Sequence, residues 1–144
     1  METSLAAVGL AVKRLQWHHH REASCRLAEI GLSLPQWDVL RHLHERPDAS
    51  LHDLAVLTFQ TDQSMGSLAA RMIERGLLER RPGAGRAVRH RLTGAGDQAR
   101  QAGAAIVSEV LERSLGTLSP DDLRTLHRLL LAAGATAGTG TDPS

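Results

Sequence analysis

The stretch from Thr61 to Thr93 limits what this chain can fold into more than any other. It opens with Thr61, a hydroxyl residue suited to cap a helix. Met65, Leu68, Met72 and Ile73 follow at spacings that lay one apolar stripe along a helix. The opposite face carries Gln63, Ser64, Ser67 and Arg71, hydrogen-bonding side chains that can reach base edges and phosphates. Gly76 stands where a helix C-terminus favours glycine. Beyond it the period changes to two short runs, residues 77–81 and 87–92, separated by Pro82-Gly83-Ala84-Gly85-Arg86. The stretch therefore predicts a helix followed by a hairpin with a basic tip.

Charge gathers on the same unit. Between Arg71 and Arg91 stand seven arginines and two glutamates, +5 on a chain whose formal net charge is +1. A near-neutral protein with its positive charge on one helix and hairpin has the electrostatic footprint of a polyanion binder. A solvated arginine-rich hairpin of no special purpose is the alternative reading of charge alone.

The remaining sequence reads as helices. Aromatic residues are two Trp and one Phe with no Tyr, so the core has to be aliphatic, which suits helices. Leu5, Val8, Val12, Leu15, Leu27 and Ile30 recur on nearly one face of a long first helix. Its middle passes through His19, Glu22 and Arg26, which favours a helix shared between surfaces: a dimer interface with a polar centre, or the wall of a ligand cleft. Ser33-Leu34-Pro35-Gln36 is a capping box that starts a second helix, and Ser50 with Asp53 starts a third. The short linker Thr58-Phe59-Gln60 makes helices three and four a helix-turn-helix. Gly94 to Gly96 break the pattern before another long helix, and Ser119-Pro120-Asp121-Asp122 opens the last one.

The expected fold is mainly α with a small β-hairpin wing, a winged helix-turn-helix with N- and C-terminal helical dimerisation arms. Over one domain of 144 residues, the arms fall at 4–31 and 95–133, the winged unit at 33–93 and a disordered tail at 134–144. Arms on both sides of a winged unit imply a dimer whose recognition helices lie on successive major grooves of a palindromic site.

Five motifs in this order resemble the MarR family of bacterial transcription regulators, over roughly residues 5–133. They are Leu32 to Leu40, Leu51-His52-Asp53-Leu54-Ala55, Arg75 to Arg80, Arg91-Leu92-Thr93 with Gly96, and Leu118 to Leu123. The resemblance implies a homodimer that binds a pseudo-palindromic operator in double-stranded DNA, usually as a repressor, and releases it on a small-molecule or oxidant signal. It makes Thr61 to Arg71 the recognition helix and Arg86 the wing arginine that enters the minor groove. Two positions depart from the family: Ala84 stands where wings usually carry Asp, and Asp62 and Ser67 stand where basic residues are common. Asp62 suits the helix dipole but repels phosphate. Phosphate contact is therefore expected from Arg71, Arg86, Arg89 and Arg91, and base reading from Gln63, Ser64 and Ser67, with Thr61 at the helix start.

Other chemistry is weaker. His18-His19-His20 cannot chelate one ion together, because neighbouring helix residues point about 100° apart. No metal site and no cofactor are expected, and the histidines read as solvated or pocket-lining. Cys25, the single cysteine, excludes an intramolecular disulfide and fits a reducing cytoplasm; a buried or semi-buried thiol is favoured over a redox sensor. Trp17, with His20 and His42, could line a pocket for a small-molecule effector, or pack at the dimer interface. No run is long and apolar enough to span a membrane, and no nucleophile elbow, P-loop or CxxC motif suggests an enzyme. The rival to a repressor is a protein-interaction module that kept the winged fold and lost DNA binding.

Overall fold

A computed structural model describes residues 2–81 and 88–137. In chain order these form α1 (Leu5–Glu29), α2 (Leu34–Glu45), α3 (Leu51–Leu57), α4 (Asp62–Glu74), β1 (Leu78–Arg81), β2 (Arg89–Leu92), α5 (Gly94–Glu112), a 3-10 turn (Leu115–Thr117) and α6 (Pro120–Ala137). The expected mainly helical fold with a hairpin wing is the one observed. The chain divides into two compact units, Met1–Ser108 and Glu109–Ser144.

Within the first unit, local chemistry sets the helix boundaries. The Ser33 hydroxyl accepts from Gln36 N–H at 3.2 Å while the Gln36 side chain accepts from Ser33 N–H at 3.1 Å, so both ends of the capping box are made. Ser50 and Asp53 repeat the arrangement at the start of α3, at 3.0 and 2.9 Å. Gly31 and Gly76 end α1 and α4 with φ of 78° and 73°, a conformation that costs a residue without Cβ little.

One apolar cluster binds these elements together. Leu27 from α1, Val39 and Leu40 from α2, Leu54 from α3, Met65 and Met72 from α4 and Leu78 from β1 are fully buried in it. Burying each such side chain is worth about 1.5–3 kcal/mol. The hairpin is antiparallel, pairing Leu78 with Leu92, Glu79 with Arg91, Arg80 with His90 and Arg81 with Arg89. Arg89 also bridges Ser50, so the wing is tied to the start of α3.

Two glycines of α5 mark close approaches rather than helix breaks. Gly94 to Gly96 read as an interruption in the sequence, yet they form the first turn of α5, with the Thr93 hydroxyl accepting from Gly96 N–H at 3.0 Å. A Cβ on Gly96 would lie 2.0 Å from the carbonyl oxygen of Leu77. Gly103 faces Trp37 in the same way, its Cβ position being 2.2 Å from indole Cδ1. Trp37 is buried, donates from Nε1 to Arg100 O at 3.1 Å, and lies under the guanidinium of Arg41, 5.3 Å from the ring centre.

In the second unit, the Ser119 hydroxyl accepts from Asp122 N–H at 3.1 Å and starts α6. The helix continues through Ala137, into the stretch from Gly134 that read as a disordered tail; residues 138–144 lie outside the described residues. The reason is compositional: Ala132, Ala133, Ala135 and Ala137 are good helix formers that outweigh the single Gly134.

Two outcomes follow. Gly103→Ala should lower the unfolding free energy by about 1–3 kcal/mol in urea denaturation, because the indole cannot keep its place beside a methyl group. His90 is 4% exposed on the inner face of the hairpin, and burial, then the charge of Arg80, holds its pKa below the usual histidine value. A base depressed in the folded state leaves the unfolded chain as the better proton binder. Its contribution is therefore present above about pH 6.5 and lost as pH falls toward the folded pKa. The thermal midpoint should drop over that acid range, and drop less in His90→Leu.

Candidate nucleic-acid interface

Helix α4 is amphipathic enough to present a surface with little freedom. Met65 and Met72 have no exposed surface, and Leu68 and Ala69 are buried beside them. At 100° per residue, the exposed Gln63, Ser64, Ser67 and Arg71 then share an arc of about 100° on the other side. All four sequence-predicted residues of this helix therefore stand on one solvent-facing strip. Arg71 is the far end of it, about 15 Å along the axis from Thr61.

The N-terminal turn has its own hydrogen-bond economy. Thr61 Oγ1 accepts from Ser64 N–H at 3.1 Å and donates to Ser64 Oγ at 3.0 Å. Thr61 is thus occupied as a cap, whereas Ser64 keeps its own O–H for a partner. Asp62, at the first position of the helix, receives His52 from α3: Nδ1 and Oδ1 are 2.9 Å apart. The hydrogen bond to Asp62, then the carboxylate charge, raises the His52 pKa. Protonated His52 cancels the acidic charge in the first turn of α4. Sequence reasoning missed this pair, because ten residues separate its members and no local pattern signals it.

The arginines divide into tethered and open groups. Arg75 Nη1 donates to Gln36 Oε1 at 3.0 Å, Arg81 Nη1 to Asp48 Oδ1 at 2.8 Å and to Pro47 O at 3.2 Å, and Arg91 Nε to Glu79 at 2.6 Å. Arg91, expected as a phosphate contact, is therefore matched across the hairpin by the residue opposite it. Arg71 and Arg80 are exposed, and Arg89 is half-buried where its backbone bridges Ser50. Arg86 and the wing tip from 82 to 87 lie outside the described residues.

The other candidates scatter. Trp17 is 60% exposed and stacks on His20, ring centres 5.9 Å apart, so those two are brought together as expected. His42 instead pairs with Arg41, 3.2 Å away, and burial, then Arg41, lowers its pKa. A surface pocket lies elsewhere, lined by Arg46, Pro47, Asp48, Ala49 and Asp53 at the foot of the hairpin. Cys25 is exposed on α1, which overturns the expectation of a buried or semi-buried thiol: its neighbours Ala23 and Leu27 take the inward face, and position 25 falls outside it. No helix among the described residues is long and apolar enough to cross a membrane.

Comparisons with known proteins agree with this geometry. Residues 30–87 match the MarR family model. No curated protein sequence matches the chain. Among solved structures, the MarR family protein Rv2887 of Mycobacterium tuberculosis in complex with DNA is 26% identical, with 92% of this chain and 99% of that one covered and a TM-score of 0.74. The same protein in complex with salicylic acid gives 25% identity, 92% and 97% coverage and a TM-score of 0.72. A mutant MarR of E. coli complexed with operator DNA is 19% identical, with 88% and 92% covered and a TM-score of 0.75, a likeness of fold. From the end of α1 through the helix-turn-helix around α4, the chain thus matches the MarR family model, and over most of its length its fold is similar to that of MarR family structures.

Proposed function

We propose that this protein is a DNA-binding transcription regulator, a homodimer that represses from a pseudo-palindromic operator and lets go in response to a small molecule or oxidant. The observation that carries the reading is the strip on α4: Gln63, Ser64, Ser67 and Arg71 held outward by a fully buried opposite face and followed directly by an arginine-rich hairpin. Gln63 suits adenine, Ser64 and Ser67 tolerate several bases, and Arg71, Arg86, Arg89 and Arg91 supply phosphate contacts. Arg91 has to exchange Glu79 for phosphate, a modest cost for an exposed pair. The solved DNA complexes of Rv2887 and of E. coli MarR support the assignment.

The dimer is supported by apolar surface. Leu5, Val8 and Val12 on α1 are 93%, 49% and 49% exposed, and Leu129, Leu130 and Leu131 on α6 are 51%, 47% and 61% exposed. Exposed apolar residues in these numbers on terminal helices call for a second copy. Trp17 and His20, stacked on α1, are the residues offered to an aromatic effector, in line with the salicylic acid complex of Rv2887. Asp62 favours a second reading, an interaction module that has lost DNA, since its carboxylate stands where phosphate approaches.

Salt separates the two. In a fluorescence-anisotropy titration against the DNA upstream of its own gene, a repressor's affinity should fall steeply as salt rises, and a protein-interaction module should bind weakly and without preference. Arg86→Ala should weaken binding to every sequence, by about 1 in the slope of log affinity on log salt, whereas Ser64→Ala should alter sequence preference more than strength.

Protonation adds a second expected outcome. Below its raised pKa, His52 neutralises Asp62; above it, a full negative charge remains at the start of α4. Affinity should therefore fall as pH rises through the His52 pKa, which lies above the ordinary histidine value. Asp62→Asn should bind more tightly above that pKa and lose most of that dependence.

A further inference from the structure

The joint between α3 and α4 holds the chain's one phenylalanine in left-handed backbone, a place that suits glycine better. Phe59 N–H donates to Val56 O at 3.3 Å and Gln60 N–H to Ala55 O at 2.8 Å, the paired bonds that end a helix through a residue in left-handed backbone. Phe59 takes that place with φ 58°, the only non-glycine residue with positive φ among those described. Glycine would hold the same turn without strain, and a bulky side chain does not. The ring is also 98% exposed, so it adds nothing to the core in return. Strain kept at a fully exposed aromatic points to a partner outside the chain.

The surroundings say which partner. Phe59 lies two residues before Thr61, the cap of α4, so the two Cα atoms are within about 7 Å of each other. In helix-turn-helix docking, the N-terminal residues of the second helix meet base edges while the first helix crosses the backbone. The residue at the joint then sits at the edge of the major groove. The joint is also stiff: Thr58 Oγ1 donates to Leu54 O at 2.6 Å and accepts from Gln60 Nε2 at 3.0 Å. A ring presented from a fixed turn loses little freedom on contact. Having neither donor nor acceptor, it can distinguish one feature of a base pair in that groove, the C5-methyl of thymine.

We propose that Phe59 reads a thymine methyl beside the bases addressed by Gln63 and Ser64. The inference rests on the DNA-binding reading above and extends it to a contact that carries no hydrogen bond.

The test uses a duplex enriched by the full-length chain from a random pool, with each thymine replaced in turn by uracil, which removes the methyl alone. Wild-type protein should lose about three- to five-fold in affinity at one thymine or more. Phe59→Gly should be insensitive to that replacement, while unfolding at the same or a higher temperature because the strain is gone. Phe59→Ala keeps the strained backbone and should bind like the glycine variant, which separates the ring from the turn. Unchanged affinity and methyl dependence in Phe59→Gly would overturn the inference. So would a uniform loss on all duplexes with no methyl dependence in the wild type, or a change only in the mass of the DNA-free protein, which would assign the ring to a second copy. Failure to enrich any duplex is a different result, and counts against DNA binding itself.

Discussion

Everything exposed on α4 depends on what its other face loses to water. Met65 and Met72 are fully buried, and with Leu68 and Ala69 they fix the rotation of the helix about its own axis. A turn of one residue, about 100°, would bring a methionine into solvent and a glutamine or serine into the core. Gln63, Ser64 and Ser67 are therefore aimed outward by residues that stay inside the core. The same burial explains why a helix of 13 residues, with Gly66 inside it and three serines or threonines near its start, holds its shape.

Charge is managed around that strip rather than on it. Arg75, Arg81 and Arg91 each have an acceptor nearby, and each of these bonds is exposed enough to be worth little to stability. Such pairs organise side chains without locking them away. A phosphate can take over a guanidinium at small cost, so the hairpin keeps its positive surface while avoiding the repulsion of bare neighbouring arginines.

Elements set by local chemistry could be read from the sequence. The capping boxes at Ser33 and Ser50, the glycine ends at Gly31 and Gly76, and the apolar stripe of α4 all act within four or five residues, and each forms where expected. The five motifs carried the family resemblance for the same reason. Features made between distant elements were not legible. Gly94 to Gly96 read as a break because a glycine that admits Leu77 and one that ends a helix look alike in sequence. His52 and Asp62 meet only after the turn folds, and Arg91 is matched by Glu79 only through the register of the hairpin. Cys25 was expected inside because small thiols are usually buried, yet a long helix with one inward edge leaves most of its residues outside.

One oxygen joins the start of α2 to the end of α4. Gln36 Oε1 accepts from Ser33 N–H at 3.1 Å and from Arg75 Nη1 at 3.0 Å, so the cap that begins α2 and the residue that ends α4 share an acceptor. Such sharing is a coupling free energy between sites 39 residues apart. A pull on Arg75, whether from a bound polyanion or a shift of α4, weakens or strengthens the cap on α2. By reciprocity, whatever disturbs the start of α2 changes the energy with which the end of α4 is held.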